Sequence, residues 1–144
     1  MTEPGSERPY RWIDHTGDLG FEVEAGSLPA LFEAAAAALL DILFEPDGVE
    51  PLETCEIHVE AADREELLVA FLGEILFLHE VEDRLFRRVE VISEPDRTVT
   101  ARLFGETFDP GRHIIRRQIK AVTYHGLVVE PTDSGWRARI ILDI

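Results

Sequence analysis

The 144-residue chain carries 29 acidic and 14 basic side chains, a formal net charge of −15, and 45% of its residues are hydrophobic. At this length a single domain buries roughly two-thirds of its unfolded surface, so a stable core needs neither a disulfide nor a structural metal. Because nucleic-acid affinity comes mainly from Lys and Arg side chains that neutralise phosphates, the charge argues against direct nucleic-acid binding. It also argues against binding to an anionic membrane and favours cations and partners with basic surfaces.

The segment before Tyr10 is predicted to be a short disordered leader. Residues 1–9 are polar and lack the apolar stretch of a secretory signal peptide. The lone Cys55, expected to be a buried structural thiol, can form no intramolecular disulfide. The longest apolar run, Ala34–Leu40, is too short to span a bilayer. We therefore expect one cytoplasmic domain over residues 10–144, with no membrane segment.

The periodicity of apolar residues predicts two helices among short strands. The first helix covers Leu28–Phe44 with Ser27 as its N-cap, and the second runs from Arg64 to about His79 behind the capping box Asp63-x-x-Glu66. Predicted strands cover residues 10–13, 19–25, 52–60, 85–93, 98–105, 119–124, 127–130 and 136–144. Short turns between neighbouring strands imply antiparallel pairing. The predicted fold is therefore α+β, a two-layer sandwich of mostly antiparallel sheet with two long helices on one face.

The loop after the first predicted strand is the first candidate site. Its sequence is Asp14-His15-Thr16-Gly17-Asp18. Carboxylates on an irregular loop can converge on a cation, and Gly17 allows the backbone to bend closely there. An Asx turn that joins two strands accounts for the same residues, so the spacing leaves both interpretations open.

The end of the chain is the second candidate site. Alternation continues to the last residue, with Trp136, Ala138, Ile140, Leu142 and Ile144 on one side of the strand and Arg137, Arg139, Ile141 and Asp143 on the other. A strand that persists to its final residue should hold the Ile144 α-carboxylate in place, next to the Asp143 carboxylate. With Asp18 these groups would form an oxygen-only site suited to Ca²⁺, Mg²⁺ or Mn²⁺. The alternative is an exposed terminus neutralised by nearby Arg side chains.

The third candidate site is the segment Lys120-Ala121-Val122-Thr123-Tyr124-His125, which enters a predicted strand. Lys120 and His125 could serve as acid, base or phosphate contact, or have neutral surface roles. The five histidines lack a compact zinc-binding spacing, and there is no P-loop, dinucleotide fingerprint or nucleophile elbow.

Two basic clusters interrupt the acidic sequence. We interpret them as strand edges and partner contacts. They comprise Arg84, Arg87 and Arg88, and then Arg112, Arg116, Arg117 and Lys120.

At the three candidate sites the sequence resembles the archease family. The loop His15-Thr16-Gly17-Asp18-Leu19-Gly20 resembles the family's His-Thr-Ala-Asp-Ile/Val-Gly opening, with Gly17 where Ala is usual. The segment from Lys120 to His125 resembles the family's Lys-Ala-Val/Ile-Thr-Tyr-His, and Asp143-Ile144 resembles its terminal Asp-Ile. The order of the motifs and the length fit from about Tyr10 to Ile144.

The resemblance implies a non-catalytic accessory protein of the RtcB-type tRNA-splicing RNA ligase. That manganese-dependent ligase takes a guanylyl group from GTP onto a histidine, and archease promotes this guanylylation and multiple turnover. Carried over by position, the family's divalent metal site falls on Asp18, Asp143 and the Ile144 carboxylate. Lys120, with His15 and His125, is assigned to partner or activation contacts. The implied fold is a two-layer α+β sandwich.

Two other classes of function compete with this one. A stand-alone metal-dependent hydrolase could use Asp18 and Asp143 around Mg²⁺ or Mn²⁺, with His15 or His125 as general base. A general protein-binding or chaperone-like module is suggested by the acidity and the apolar helices.

Overall fold

A computed structural model describes residues 10–15, 18–94 and 97–144, with only the backbone described for residues 10–15. The predicted leader, residues 1–9, lies outside the described residues, as do Thr16 and Gly17. The described residues form seven strands, two α-helices and one short 3₁₀ turn. These are β1 Tyr10–His15, β2 Asp18–Ala25, α1 Leu28–Leu43, the 3₁₀ turn Pro46–Gly48, β3 Glu53–Glu60, α2 Arg64–Glu82, β4 Arg84–Ser93, β5 Thr98–Thr107, β6 Ala121–Thr132 and β7 Gly135–Asp143.

The strands divide between two sheets. One sheet has the order β1-β2-β7-β6 and the other has the order β3-β5-β4, with every described pairing antiparallel. The predicted α+β fold with two long helices is confirmed. The division into two sheets was not predicted, because local alternation does not specify which distant strands pair.

Each helix begins at a side-chain cap that the sequence predicts. The Ser27 hydroxyl accepts a hydrogen bond from the Ala30 N–H at 3.2 Å. The Asp63 carboxylate accepts from the Glu66 N–H at 2.8 Å, while the Glu66 carboxylate accepts from the Ala62 N–H at 2.9 Å. These bonds satisfy N–H groups that have no partner within the first helical turn.

The core lies where the helices meet both sheets. Helix α1 packs against β2 and β7 of one sheet and β4 of the other, and α2 packs against β6 of the first sheet and β3 of the second. Between the helices the rings of Phe32 and Phe71 have centroids 5.4 Å apart. Cys55, expected to be buried, is half-buried and packs against this core.

Three element boundaries differ from the sequence prediction. Helix α1 ends at Leu43 with Phe44 as its extended C-cap, and α2 continues past His79 to Glu82, where Asp83 at φ 55° ends it. The two segments predicted at 119–124 and 127–130 form one strand, β6, whose register shifts between Thr123 and Val128. A bulge of this kind interrupts the alternation, which makes one strand resemble two in the sequence. Within the described ranges, no helix is long and apolar enough to cross a membrane.

Candidate metal and partner site

Asp18 and Asp143 are brought together by the pairing of β2 with β7. They are directly opposed in the antiparallel register, so their side chains emerge on the same face of the sheet. Opposed residues of this kind have Cβ atoms about 4.5–5.5 Å apart. Asp18 is half-buried and Asp143 is exposed. Two acidic side chains at the same end of one sheet provide carboxylate oxygens, the ligand type that Ca²⁺, Mg²⁺ and Mn²⁺ prefer.

The end of β7 is held by its neighbours on both sides. β7 is an inner strand between β2 and β6, and Asp143 is paired with Asp18 on one side and Ala121 on the other. Ile144 follows directly and packs its half-buried side chain against the core. The pairing on both sides and the packing of Ile144 therefore hold the backbone beside the two carboxylates in place.

Lys120 reaches the same end of the sheet from the other side. Its backbone N–H donates to the Asp143 carbonyl oxygen at 2.8 Å, and its side chain is exposed. Lys120 therefore lies at the start of β6, beside Asp143. The register accordingly brings Asp18, Asp143, Ile144 and Lys120 to one end of one sheet.

His125 lies in the bulge of β6 rather than in its regular part. The Thr123 hydroxyl donates to the Ile141 carbonyl at 3.0 Å and accepts from the His125 N–H at 3.2 Å. Gly126 has φ +65°, a conformation that favours glycine, and a Cβ built on it would lie 3.5 Å from the Ile141 side chain. The bulge therefore covers Ile141, two residues before Asp143, and His125 is exposed beside it.

His15 is described only through its backbone, which pairs with Asp18 at the end of β1. Thr16 and Gly17 of the same predicted loop are outside the described residues. Across the ranges that are described, no three His, Cys, Asp or Glu side chains are grouped as a metal site. The candidate set differs from such a group because it combines two aspartates with the Ile144 α-carboxylate. The donor chemistry fits a hard divalent cation.

Several residues of the two basic clusters make contacts within the chain. Arg84 pairs with Glu53 at 3.2 Å, and Arg116 pairs with Asp41 at 2.7 Å. The Arg88 guanidinium lies 3.9 Å from the centroid of the Phe104 ring. These contacts give several of the clustered basic side chains an acidic or aromatic partner within the same chain. The interpretation of the clusters as partner contacts remains a prediction.

A buried polar cluster that the sequence analysis missed joins the end of β5 to the following segment. Glu106, only 5% exposed, accepts hydrogen bonds from the Glu50 N–H at 2.8 Å and from Arg112. His113, 7% exposed, accepts from the Asp109 N–H through Nδ1 at 2.8 Å. Its Nε2 therefore carries the proton and donates to Glu106 at 2.9 Å. No spacing or periodicity in the sequence marks these residues as neighbours.

These bonds lower the pKa of Glu106 from its usual 4.5 to about 2. The largest cause is the hydrogen bond from the Arg112 guanidinium, followed by those from the Glu50 N–H and His113. The cluster holds the first part of the irregular segment 108–120, and the Arg116 N–H bonds to the Leu43 carbonyl at 2.9 Å further along. This segment leads directly to Lys120.

Comparison with known proteins agrees with the fold and shows the family. The family model described as "Archease protein family (MTH1598/TM1083)" matches residues 10–144. Among curated relatives, a protein archease of Methanopyrus kandleri is 40% identical over 139 residues, covering 94% of this chain and 99% of the relative. A protein archease of Pyrococcus abyssi is 38% identical over 140 residues, covering 93% of this chain and 99% of the relative.

Two solved structures share the fold. The solution structure of Methanobacterium thermoautotrophicum protein 1598 superposes with a TM-score of 0.79 at 30% identity, covering 95% of this chain and 99% of that one. A Thermotoga maritima crystal structure, described as an archease and possible chaperone, gives a TM-score of 0.60 at 20% identity, covering 100% and 98% of the two chains. On the family match and the full-length relatives, this chain belongs to the archease family.

Proposed function

We propose that this protein is a non-catalytic accessory factor that activates an RtcB-type tRNA-splicing RNA ligase. It promotes guanylylation of the ligase and multiple turnover, and it uses a divalent cation held by Asp18, Asp143 and the Ile144 α-carboxylate. The observation that carries the proposal is the register that opposes Asp18 and Asp143 at the end of β7. Family membership supports the choice of partner, because the resemblance to archease implies an accessory role for this ligase.

The roles proposed for the individual residues are based on their positions. Asp18 and Asp143 supply side-chain oxygens from adjacent strands, and the Ile144 α-carboxylate, directly after Asp143, is the proposed third ligand. A divalent cation bound by these groups supplies positive charge that orients and polarises phosphate oxygens. Lys120, exposed beside Asp143, contacts the ligase or its nucleotide. His15 and His125 flank the same end of the sheet and contribute to the contact surface.

The net charge of −15 supports a role that leaves RNA binding to the partner. An RNA ligase requires basic residues where it binds its substrate. Complementary charge then favours rapid, transient encounter between the acidic accessory protein and the ligase. Because added salt screens such attraction, raising the ionic strength should weaken stimulation. Stimulation that is unaffected by salt would refute this electrostatic part of the proposal.

A ligation assay with limiting ligase tests the activating role. We expect wild-type protein to increase turnover, and Asp18→Ala and Asp143→Ala to reduce the stimulation by at least the ~10–100-fold that loss of a metal-supporting group costs. A chain extended beyond Ile144 should fail in the same way, because the extension removes the terminal carboxylate and leaves every side chain intact. Asp133→Ala is the matched control, since Asp133 lies in the turn at the opposite end of β7. Full stimulation by both aspartate variants would contradict the proposal.

The same preparations separate the competing functions. Hydrolysis of phosphoesters by the protein alone, lost in Asp18→Ala, would identify a metal-dependent hydrolase. The description of the Thermotoga maritima protein as a possible chaperone motivates a second comparison. Suppression of aggregation that survives the loss of both aspartates would identify a chaperone-like module instead of a ligase activator.

A further inference from the structure

Helix α2 has a second apolar stripe that borders a surface groove. The groove has a volume of about 340 Å³, and it lies between this stripe and the start of β6. Along α2 it is lined by Val69, Gly73, Leu76, Phe77, Glu80 and Val81, and along β6 by Lys120, Ala121 and Val122. The α2 residues recur at spacings of three and four, so they lie on one side of the helix. Val69 and Leu76 of this stripe are themselves buried, and the opposite side of α2 packs in the core.

The floor of the groove contains open space. A Cβ built on Gly73 would have no described atom within 4 Å, apart from Gly73, its two chain neighbours and the nearby helix backbone. Glycine in the interior of a helix costs stability relative to alanine, and nothing within the described fold requires its small size here. A position that is both destabilising for the helix and open to the outside leaves room for a side chain from another molecule.

The outer part of the stripe is exposed to solvent. Phe77 is 47% exposed and Val81 is 63% exposed, and the two are one helical turn apart. Large aromatic and aliphatic side chains that flank a concave pocket are typical of the anchor points of protein interfaces. The groove therefore has an open floor and an apolar rim.

The groove adjoins the carboxylate end of the sheet. Ala121 lines the groove and is also the cross-strand partner of Asp143, and Lys120 lines it while its N–H bonds to the Asp143 carbonyl. A partner that reaches Asp18 and Asp143 at this end of the sheet can therefore fill the groove with an adjoining segment. The groove and the metal site would form one continuous contact surface.

We propose that the α2–β6 groove binds a segment of the partner that carries apolar side chains flanked by basic residues. This rests on the proposed function, under which the segment belongs to the ligase. Charge selects against a second copy of this chain, because each copy would bring a net charge of −15. The apolar side chains fill the space above Gly73 and contact Phe77, and the basic residues face Glu80, the acidic side chain that lines the groove.

Direct binding to the ligase, measured by calorimetry with the full chain, tests the groove separately from activation. Gly73→Leu fills the groove, and Phe77→Ser removes part of its rim. Each should raise the Kd by more than about 10-fold, the loss expected for an interface anchor. Gly26→Leu is the matched control for the first, because a Cβ at Gly26 also meets no described atom within 4 Å. Leu52→Ser is the control for the second, since Leu52 is 69% exposed and lies outside the groove. Both controls should bind like wild type, and thermal melting should show that all four variants fold.

The outcomes distinguish failure of the groove from failure of the proposed function. If both groove variants bind like wild type while Asp143→Ala abolishes stimulation, the groove proposal is wrong and the activating role stands. If wild-type protein binds through the groove without stimulating ligation, the groove stands and the activating role is wrong. Absence of any binding by wild type overturns the groove proposal. So does a self-associated form in sedimentation that Gly73→Leu dissociates, because the occupant would then be a second copy.

Discussion

Asp18 and Asp143 are cross-strand partners although they lie near opposite ends of the chain. The pairing of β2 with the inner strand β7 opposes two acidic side chains, an arrangement that is unfavourable unless a cation lies between them. Lys120, whose N–H bonds to the Asp143 carbonyl, adds a basic side chain at the same end of the sheet. This concentration of charged groups is the structural basis of the proposed function.

The first prediction concerns the stability of this opposed pair. Without divalent cations, Asp143→Asn should stabilise the fold by roughly 0.2–1 kcal/mol, because it removes repulsion between opposed like charges. With Ca²⁺ or Mn²⁺ the wild type should be the more stable of the two. A ligand present at 100 times its Kd adds about 2.7 kcal/mol to the free energy of unfolding of the protein that binds it. Thermal melting with EDTA and with each ion measures both effects. A wild-type melting temperature that does not respond to any divalent ion contradicts the metal assignment.

The second prediction concerns acid stability and Glu106. Its pKa is about 2 in the folded protein against a usual 4.5. Between these values the unfolded chain binds more protons than the folded one. The stabilisation that Glu106 contributes is therefore complete above pH 4.5 and is lost as the pH falls toward 2. Glu106→Gln should lower the free energy of unfolding at neutral pH. It should also reduce, by up to one, the number of protons taken up when the protein unfolds at acidic pH. Urea unfolding between pH 7 and pH 3 measures it, with Glu90→Gln as an exposed control. An unchanged acid profile in Glu106→Gln would show that the cluster does not depress this carboxyl.

The third prediction concerns the hydroxyl that holds the β6 bulge. Thr123→Val keeps the shape of the side chain but loses the hydrogen bonds to the Ile141 carbonyl and from the His125 N–H. We expect a destabilisation of about 1–3 kcal/mol because the buried residue Ile141 loses the partner of its carbonyl in a partly buried hydrogen bond. Stimulation of ligation should fall as well, since the bulge carries His125. Thr123→Ser retains the hydroxyl and should restore both properties. If the serine variant is as destabilised as the valine variant, the hydroxyl alone does not hold the bulge.

The fourth prediction concerns the close approach of β4 and β5. A Cβ on Gly105 would lie 1.8 Å from the Leu85 carbonyl oxygen and 2.7 Å from the Phe86 Cα. Both atoms belong to the backbone, so Gly105→Ala requires the strands to separate and should cost about 3 kcal/mol or more. Gly48→Ala is the control, because its Cβ would lie 3.8 Å from the nearest atom. Equal denaturation midpoints for the two variants would contradict the close approach.

The fifth prediction isolates the helix effect of Gly73 from its effect on docking. Gly73→Ala adds a methyl group that meets no described atom within 4 Å and removes a helix-interior glycine. Stability should therefore rise by about 0.5–1 kcal/mol. Chemical denaturation measures this change. A destabilised variant would mean that the floor of the groove is filled by the chain itself.

Local patterns predicted the elements well because each depends on neighbouring residues. Alternation of Cys55, Ile57 and Val59 predicts β3, and the capping box predicts the start of α2. The end of α2 was predicted too early, because the left-handed conformation of Asp83 has no strong local signal. Pairing between distant strands is not encoded in any single segment, which is why the two sheets were not foreseen.

The candidate site was predictable from the sequence only in part. Alternation along the last strand and the motif resemblance predict Asp143 and Ile144 as site residues. In the structure Asp143 lies directly opposite Asp18. The cluster of Glu106 and His113 had no such signal, because charged residues around a turn normally face solvent. The groove at Gly73 has one feature visible in the sequence, a glycine in the interior of the second predicted helix, but its meaning depends on what lies opposite it in the fold.

Calorimetric titration of divalent cation is the most direct test of whether Asp18, Asp143 and the final carboxylate share an ion. Wild-type protein should bind one Mn²⁺ or Ca²⁺. An Asp18→Asn/Asp143→Asn double variant should bind the ion at least ~10–100-fold more weakly, which is the loss expected when a residue that only supports a metal ligand is mutated. A chain extended beyond Ile144 should be weakened in the same direction. One-to-one binding that is equally tight in wild type and in the double variant would contradict the account, because the ion would then be held elsewhere.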